Sequence, residues 1–284
     1  MWGECNMSFD NINNLISNDY ESINYILRSE QRLEILNELL DGDKTSNEIN
    51  EKLKVQNTNL LRTLKELEKK EFIIKKSKKY TLTSIGYLII LNVNHFLENM
   101  YSEFVFEDFW ENHSLENIPY RFIRNLNIWK NASLIQSTGL VYNKPMNTLL
   151  RQSATAKRFR VVLPIFSVFH IETFIDAIYD NDGLMDLITS KLVYDAICES
   201  EVSDRFKQAV DDGYIRLWID YSNEINLFLT ATNKFYSLSL FYLDEAYDDS
   251  NLLISTDNKH FKKINNIFDC YTRNFKYIEN LDEI

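Results

Sequence analysis

The chain is poor in the residues from which most active sites are built. It has six glycines in 284 residues, too few to supply a glycine-rich phosphate cradle comfortably. Its four histidines, His95, His113, His170 and His260, are scattered, with no pair four apart on one helix. No H-E-x-x-H, G-x-S-x-G or Walker-A lysine motif occurs. A catalyst is therefore not expected, nor a cofactor or metal. The cysteines, Cys5, Cys198 and Cys270, are odd in number, far apart and form no C-x-x-C. They read as reduced structural thiols, not as a disulfide framework or zinc ribbon. Long apolar runs are missing too. The longest, from Ile85 to Leu97, is interrupted by Gly86, Asn92, Asn94 and His95, and falls short of the ~18–20 apolar residues a membrane span needs. Met1-Trp2-Gly3-Glu4 has neither a basic start nor an apolar h-region. The expectation is a soluble, cytoplasmic protein with no membrane partner.

What is present is an uneven distribution of charge. The formal net charge is −11, which taken alone speaks against nucleic acid. Between Asp43 and Tyr80, however, 11 Lys and Arg face 6 Asp and Glu, a balance of +5, leaving −16 on the remainder. Local field decides whether a surface can approach phosphates. The acidic remainder would repel DNA and so turn the basic segment toward it.

Length suggests about two domains, at roughly 100–200 residues each. Residues 1–18 are polar and without period, and read as an N-terminal arm. A helical pattern starts near Tyr20. Ser29 is placed to cap the next helix, whose apolar face is Leu33, Ile35, Leu36, Leu39 and Leu40. Gly42 suits the left-handed position after that helix. Thr45 and Glu48 have the spacing of a capping box. A short turn, Lys54-Val55-Gln56, leads to a helix from Asn57 to Lys70 with Leu60, Leu61, Leu64 and Leu67 toward the core. Phe72-Ile73-Ile74 reads as a strand, Lys75 to Lys79 as a tight polar loop, and Tyr80 to Thr83 as the returning strand. Helix, helix, turn, helix and two-stranded wing is the order of a winged helix-turn-helix. Ser84 is placed to cap a long helix from Ile85 to Phe109, some 25 residues and roughly 37 Å at 1.5 Å per residue.

After Pro119 strand-like and helical runs alternate. Strands are expected near Ala132–Thr138, Arg158–Pro164, Leu184–Thr189, Tyr214–Ile219, Ile225–Ala231 and Phe235–Leu243. Helices are expected over Lys144–Ala154, Val168–Tyr179, Leu192–Val210 and Lys259–Tyr277. The fold class is thus α+β multidomain: an arm (1–18), a winged helix-turn-helix (19–84), a linker or dimerisation helix with its junction (85–118), and an α/β effector domain with a mixed sheet (119–284).

A helix in the major groove turns its polar side to base edges. Gln56, Asn57, Thr58, Asn59, Arg62 and Thr63 supply the amide, hydroxyl and guanidinium groups that pair with bases. Lys65 is better placed for phosphate. Thr45 and Ser46 open the preceding helix, where backbone N–H groups can meet phosphate. Lys75, Lys76, Lys78 and Lys79 on the wing suit backbone or minor-groove contact. Lysine runs alone are usually solvated surface. The conjunction of turn, polar-faced helix and basic wing, in that order, is what points to double-stranded DNA.

Ser29-Glu30-Gln31-Arg32-Leu33-Glu34-Ile35-Leu36 resembles the S-x-x-R-x-x-I-L opening of archaeal ArsR-like winged-helix regulators. Leu60 to Glu68 resembles their recognition helix, and Tyr80-Thr81-Leu82-Thr83-Ser84-Ile85-Gly86 their Y-x-L-T-x-x-G exit from the wing, although this hairpin lacks the glycine often found there. Phe109-Trp110-Glu111-Asn112-His113, then Ile118-Pro119, and later Phe235 to Phe241, resemble the effector domain of the methanogenesis regulatory protein family. The resemblance implies an archaeal transcription factor, dimeric, with a C-terminal domain for sensing or assembly.

Within that domain His113, His170, Tyr236 and Tyr242 are the candidates for contact with a small-molecule or protein effector. Each has a plainer reading as a packing residue. The strand and helix alternation is also similar in fold to phospholipase-D-like domains of other archaeal regulators, but the H-x-K-x-x-x-x-D catalytic pattern is absent. The other reading of the whole chain is a winged-helix adaptor that binds a basic protein and not specific DNA.

Overall fold

The computed structural model of the chain describes residues 21–279 and 281. The expected arm, the helical start at Tyr20 and Cys5 lie outside these residues. The chain divides into two compact units, one ending at Leu97 and one from Glu98 to Ile284.

In the first unit, helix α1 covers residues 21–27. It is followed by α2 (Glu30–Glu38), a 3-10 turn (Leu39–Asp41), β1 (Lys44–Thr45), α3 (Ser46–Leu53), α4 (Asn57–Lys69), β2 (Ile73–Lys76), β3 (Lys79–Leu82) and the first part of α5 (Ser84–Val105), whose residues from Glu98 on belong to the second unit. The strands form an antiparallel sheet in the order β1-β3-β2. Ile26, Ile35, Leu36, Ile49, Leu60, Leu64, Leu67, Ile73 and Ile90 make a core with no exposed surface. The Thr45–Glu48 capping box is formed in full at the start of α3.

Other local expectations need correction. Ser29 stands at the N-cap of α2 in extended backbone but makes no side-chain cap bond. Gly42 has φ 126° and ψ −179°, a region open essentially to glycine alone, not the left-handed helical one. The left-handed cap belongs to Lys54 at the end of α3 (φ 53°). Thr83, not Ser84, caps α5: its hydroxyl accepts from the Gly86 N–H at 3.0 Å and lies 2.6 Å from the Glu71 carbonyl. Helix α5 stops at Val105, because Phe106 leaves helical geometry (φ −120°, ψ 34°) before α6 (Glu107–Asn112) begins.

The second unit continues with α7 (Tyr120–Ile123), β4 (Ser133–Gln136), α8 (Lys144–Ser153), β5 (Arg158–Leu163), α9 (Val168–Asp180), β6 (Leu184–Ser190), α10 (Lys191–Cys198) and α11 (Ser203–Asp211). Strands β7 (Ile215–Asp220), β8 (Leu227–Thr232), β9 (Tyr236–Leu240) and β10 (Asn251–Ser255) follow, then α12 (Phe261–Asn274) and β11 (Lys276–Ile278). Eight of these strands form one sheet, ordered β11-β7-β6-β5-β8-β9-β10-β4. The β5–β6 and β6–β7 pairs are parallel and the others antiparallel.

Alternation along the strands divides the core. Val161 and Leu187 pack with Phe174, Ile178 and Phe206 on one face, while Val162 and Ile188 pack with Trp129, Leu238 and Phe268 on the other. The single helix expected over Leu192–Val210 is two helices. The one expected to reach Tyr277 ends at Asn274, and its last residues join the sheet as β11. No helix among the described residues is long and apolar enough to cross a membrane.

Candidate nucleic-acid interface

Helix α4 has two faces. Leu60, Leu64 and Leu67 have no exposure, while Gln56, Asn57, Thr58, Asn59, Arg62 and Lys65 are exposed. This follows from the spacing: residues three and four apart share a side of a helix. The same rule removes Thr63 from the base-facing set. It is 6 % exposed, and its hydroxyl lies 3.0 Å from the Asn59 carbonyl and 3.2 Å from Gln31 Oε1. Thr63 is a packing residue.

The exposed side is kept clear by a network on the helix flank. Arg32 lies 3.6 Å above the Tyr25 ring, donates to the Tyr25 carbonyl at 2.6 Å and reaches Glu66 at 3.3 Å. The Tyr25 hydroxyl donates to the same Glu66 oxygen at 3.1 Å. Burial and the Glu66 carboxylate together push the Tyr25 pKa up. The Oε2 atom of Glu66 is thus engaged elsewhere. Arg62 keeps a side chain 75 % exposed and only a loose 3.7 Å approach to Glu66 Oε1.

At α3 the anion site expected from Thr45 is already filled. The Thr45 N–H and hydroxyl donate to Glu48 Oε2 at 2.7 and 2.8 Å. These bonds hold the Glu48 carboxyl below its usual range. A phosphate would meet a carboxylate there, so Thr45 is withdrawn as a phosphate donor. Ser46, half-buried, is the first residue of the helix.

The hairpin is tighter than the sequence suggests. Lys76 pairs directly with Lys79 across the ladder, so the loop is Ser77 and Lys78 alone, with Ser77 at φ 59°. Lys75 pairs with Tyr80 and sits 5.3 Å over its ring. All four lysines are exposed. Lys75, Lys76 and Lys79 are strand residues, not loop residues. Gly86 anchors the hairpin's base: a Cβ there would stand 1.9 Å from the Phe72 carbonyl oxygen. That close approach is the physical content of the glycine in the Y-x-L-T-x-x-G string.

In the second unit the candidates separate. Tyr236 is fully buried and donates to the Ile128 carbonyl at 2.8 Å, which makes it a core residue and not an effector contact. His113 is buried, with Nδ1 2.5 Å from the Phe109 carbonyl and Nε2 2.9 Å from Asp248 Oδ2. Tyr242 stacks on His113 with centroids 5.0 Å apart and donates to Asp248 Oδ1 at 2.7 Å. Burial works against the Asp248 charge, but bonds from His113, Tyr242, Asn251 and the Ser250 N–H outweigh it and lower the pKa.

The two distant strings, Phe109 to His113 and Phe235 to Phe241, therefore meet, and the Ser114 N–H donates to the Phe241 carbonyl at 2.9 Å. Asp248, which clamps them, was not singled out by sequence reasoning because it belongs to no motif. Tyr242 also lines a cavity of about 450 Å³ with Ser114, Ser190, Asn223 and Asn226.

His170 is buried in the first turn of α9. Among the described residues, no group of three or more His, Cys, Asp and Glu is arranged to hold a metal. Cys198 and Cys270 are free and half-buried, and burial pushes the Cys270 thiol up.

Comparison with known families decides the kinship. The N-terminal domain of the methanogenesis regulatory protein FilR1 matches residues 20–101, and the middle domain of the same protein matches residues 142–273. The chain belongs to the FilR1 family of methanogenesis regulatory proteins. The FilR1 N-terminal match takes in α2 to α4 and the hairpin, and the middle-domain match runs from α8 into α12. The Phe109–His113 string falls between the two.

No curated protein matches the chain by sequence. Among solved structures, the archaeal chromatin protein TrmBL2, whose structure is described as showing a novel mode of DNA binding, is similar over 95 % of this chain and 100 % of its own, at 14 % identity and TM-score 0.42. Nuc, a phospholipase D family member from Salmonella typhimurium, is similar over 52 % of this chain and 98 % of its own, at 8 % identity and TM-score 0.40. NucT from Helicobacter pylori covers the same shares at 10 % identity and TM-score 0.37. All three are loose likenesses.

Proposed function

We propose that this FilR1-family protein is a sequence-specific, DNA-binding transcriptional regulator. In this reading its first unit is a winged helix-turn-helix of the ArsR-like kind. Helix α4 enters the major groove, with Gln56, Asn57, Thr58, Asn59 and Arg62 toward base edges and Lys65 toward the backbone. Lys75, Lys76, Lys78 and Lys79 track phosphates from the hairpin. The observation that carries the reading is the division of α4: a fully buried leucine row opposite an exposed row of amide, hydroxyl and guanidinium groups. That exposed row has the donors and acceptors for bidentate contact with adenine and guanine.

The protein acts as a homodimer in this reading. Ile85, Leu88 and Leu91 leave an apolar side of α5 exposed (56, 58 and 41 %), the surface this reading assigns to the second copy. To read successive major-groove faces, the two recognition helices must lie about 34 Å apart, one turn of the duplex. The second unit is the sensing domain.

Titration of the full chain with labelled genomic duplexes at several salt concentrations tests the reading. Specific binding that steepens as salt falls, and that weakens in Arg62→Ala, supports it. Absence of binding to any duplex at low salt overturns it in favour of a protein-binding adaptor.

A further inference from the structure

We propose that the second unit contains a small-molecule site built around His170, and that its ligand is a compact, uncharged, mostly apolar molecule carrying one hydroxyl or carboxamide. This deepens the reading of that unit as a sensing domain, and depends on that reading only for the consequence of binding. Binding itself is measured directly, so failure here and failure of the DNA reading are separate results.

The site is a cavity of about 210 Å³ between α8, the first turn of α9 and strands β9 and β10. At roughly 30 Å³ per liquid water, that is the space of about seven waters. Its walls include buried Leu149 and Leu252 and part-exposed Met146. His170 lies a few residues past the carboxyl end of β5, the end of a parallel strand at which α/β folds bind ligands.

The imidazole is the buried polar group whose bonding capacity is unmet. Among the cavity's other polar groups, the Ser239 hydroxyl already donates to the Asn251 carbonyl at 3.0 Å, and Asp249 stands exposed at the rim. His170 is 4 % exposed, and its Nδ1 is buried without a hydrogen-bond partner. The ring is held in place by Phe228, edge-on with centroids 5.1 Å apart, and by Phe174, near-parallel at 6.3 Å. It cannot swing out to water without leaving that packing.

Nδ1 itself is shut off by the packing, so a ligand bonds the imidazole through the part of the ring that lines the cavity, where a hydrogen bond in a mostly apolar wall is strong. Burial lowers the imidazole pKa to about 4, so the ring is neutral near pH 7 and offers one N–H and one lone pair. A hydroxyl or carboxamide can answer either. An anion would meet the Asp249 carboxylate at the rim, and a cation would have to bury its charge among leucines.

The test uses the full chain labelled with ¹⁵N-histidine. Phenol, benzamide and cyclohexanol are titrated as neutral probes, with benzoate as the charged comparison. Imidazole nitrogen resonances and Tm are followed. The expected result is movement of the His170 resonances with at least one neutral probe, a rise in Tm, and no response to benzoate. Met146→Trp, which fills the cavity wall from a part-exposed position, should weaken the response at least about tenfold, with the circular dichroism of wild type. Met146→Phe serves if the tryptophan variant does not fold. Three outcomes overturn the proposal: silence of His170 to every neutral probe, equal binding of benzoate, or a response unchanged by filling the cavity. The first would mean that water alone occupies the site.

Discussion

Lys76 and Lys79 face each other directly across the β2–β3 ladder, two like charges on one side of a hairpin whose loop is two residues long. Directly opposed like charges destabilise a sheet pair. The pair is therefore a strained arrangement in the free protein and a relieved one beside a phosphate backbone. Lys76→Gln/Lys79→Gln should leave the fold intact or slightly more stable in thermal melts. It should also flatten the salt dependence of DNA binding. Each phosphate that the variant no longer neutralises takes about 0.9 from the slope of log K against log salt. An unchanged slope would place these lysines outside the interface.

Arg62 and Thr63 are neighbours with opposite roles. Arg62→Ala should change stability by no more than about 0.5 kcal/mol, as for exposed positions without special contacts, while costing about 1–3 kcal/mol in binding to a specific site. Thr63→Val should do the reverse. It removes the hydroxyl that meets Asn59 and Gln31, at a cost in stability on the order of 1 kcal/mol, and leaves DNA affinity alone. Urea melts and fluorescence titrations on both variants separate the two residues.

Gly86→Ala is expected to damage the first unit, because the new Cβ would stand 1.9 Å from backbone, the Phe72 carbonyl oxygen. Overpacking of this kind typically costs about 1–3 kcal/mol. Amide exchange should show weaker protection at the hairpin base, around Phe72 and Thr83. Wild-type protection there would contradict the close approach.

Much of the first unit was legible because its signals are local. The capping box needs only Thr45 and Glu48, and the leucine row on α4 needs only helical spacing. The meaning of Arg32 was not legible, since its partners Tyr25 and Glu66 are brought to it by folding. Thr63 looks like a base contact because a polar side chain on the buried flank of a helix resembles, in sequence, one on the exposed flank.

In the second unit the parallel strands were found from their apolar runs. Strand β10 was not, since Leu252-Leu253-Ile254 is short and gains its place by pairing with β4 and β9. Helices α10 and α11 look like one helix in sequence because nothing as emphatic as proline separates Cys198 from Ser203. Tyr236 looks in sequence like a contact residue, but β9 is buried on both faces, so alternation frees neither. Asp248, the clamp between His113 and Tyr242, carries no motif.

His170 gives the second unit a pH signature. Its folded pKa, about 4, lies below the ordinary 6.5, so between those values the unfolded chain binds a proton that the folded one does not. Stability from this group is complete above pH 6.5 and is lost as pH falls toward 4, by about 3 kcal/mol at 1.36 kcal/mol per pH decade. Asp248 behaves differently. Its folded pKa is lowered, so its contribution is present above the ordinary 3.8 and disappears only as pH falls through the lower folded value. Trp110, Trp129 and Trp218 all belong to this unit. Urea melts followed by their fluorescence should show a decline between pH 6.5 and 4 that is clearly smaller in His170→Phe, the remainder including His260, whose folded pKa burial also lowers. A decline of equal size in that variant would assign it elsewhere.

The most direct test of the DNA-reading surface is to measure affinity for one genomic site and for a scrambled duplex, at two salt concentrations, with wild type and with Arg62→Ala. Tighter binding to the genomic site, with that preference reduced about 5- to 150-fold by Arg62→Ala (1–3 kcal/mol), is the expected result. Equal affinity of wild type for both duplexes, or a preference untouched by the loss of Arg62, would contradict a helix that reads bases.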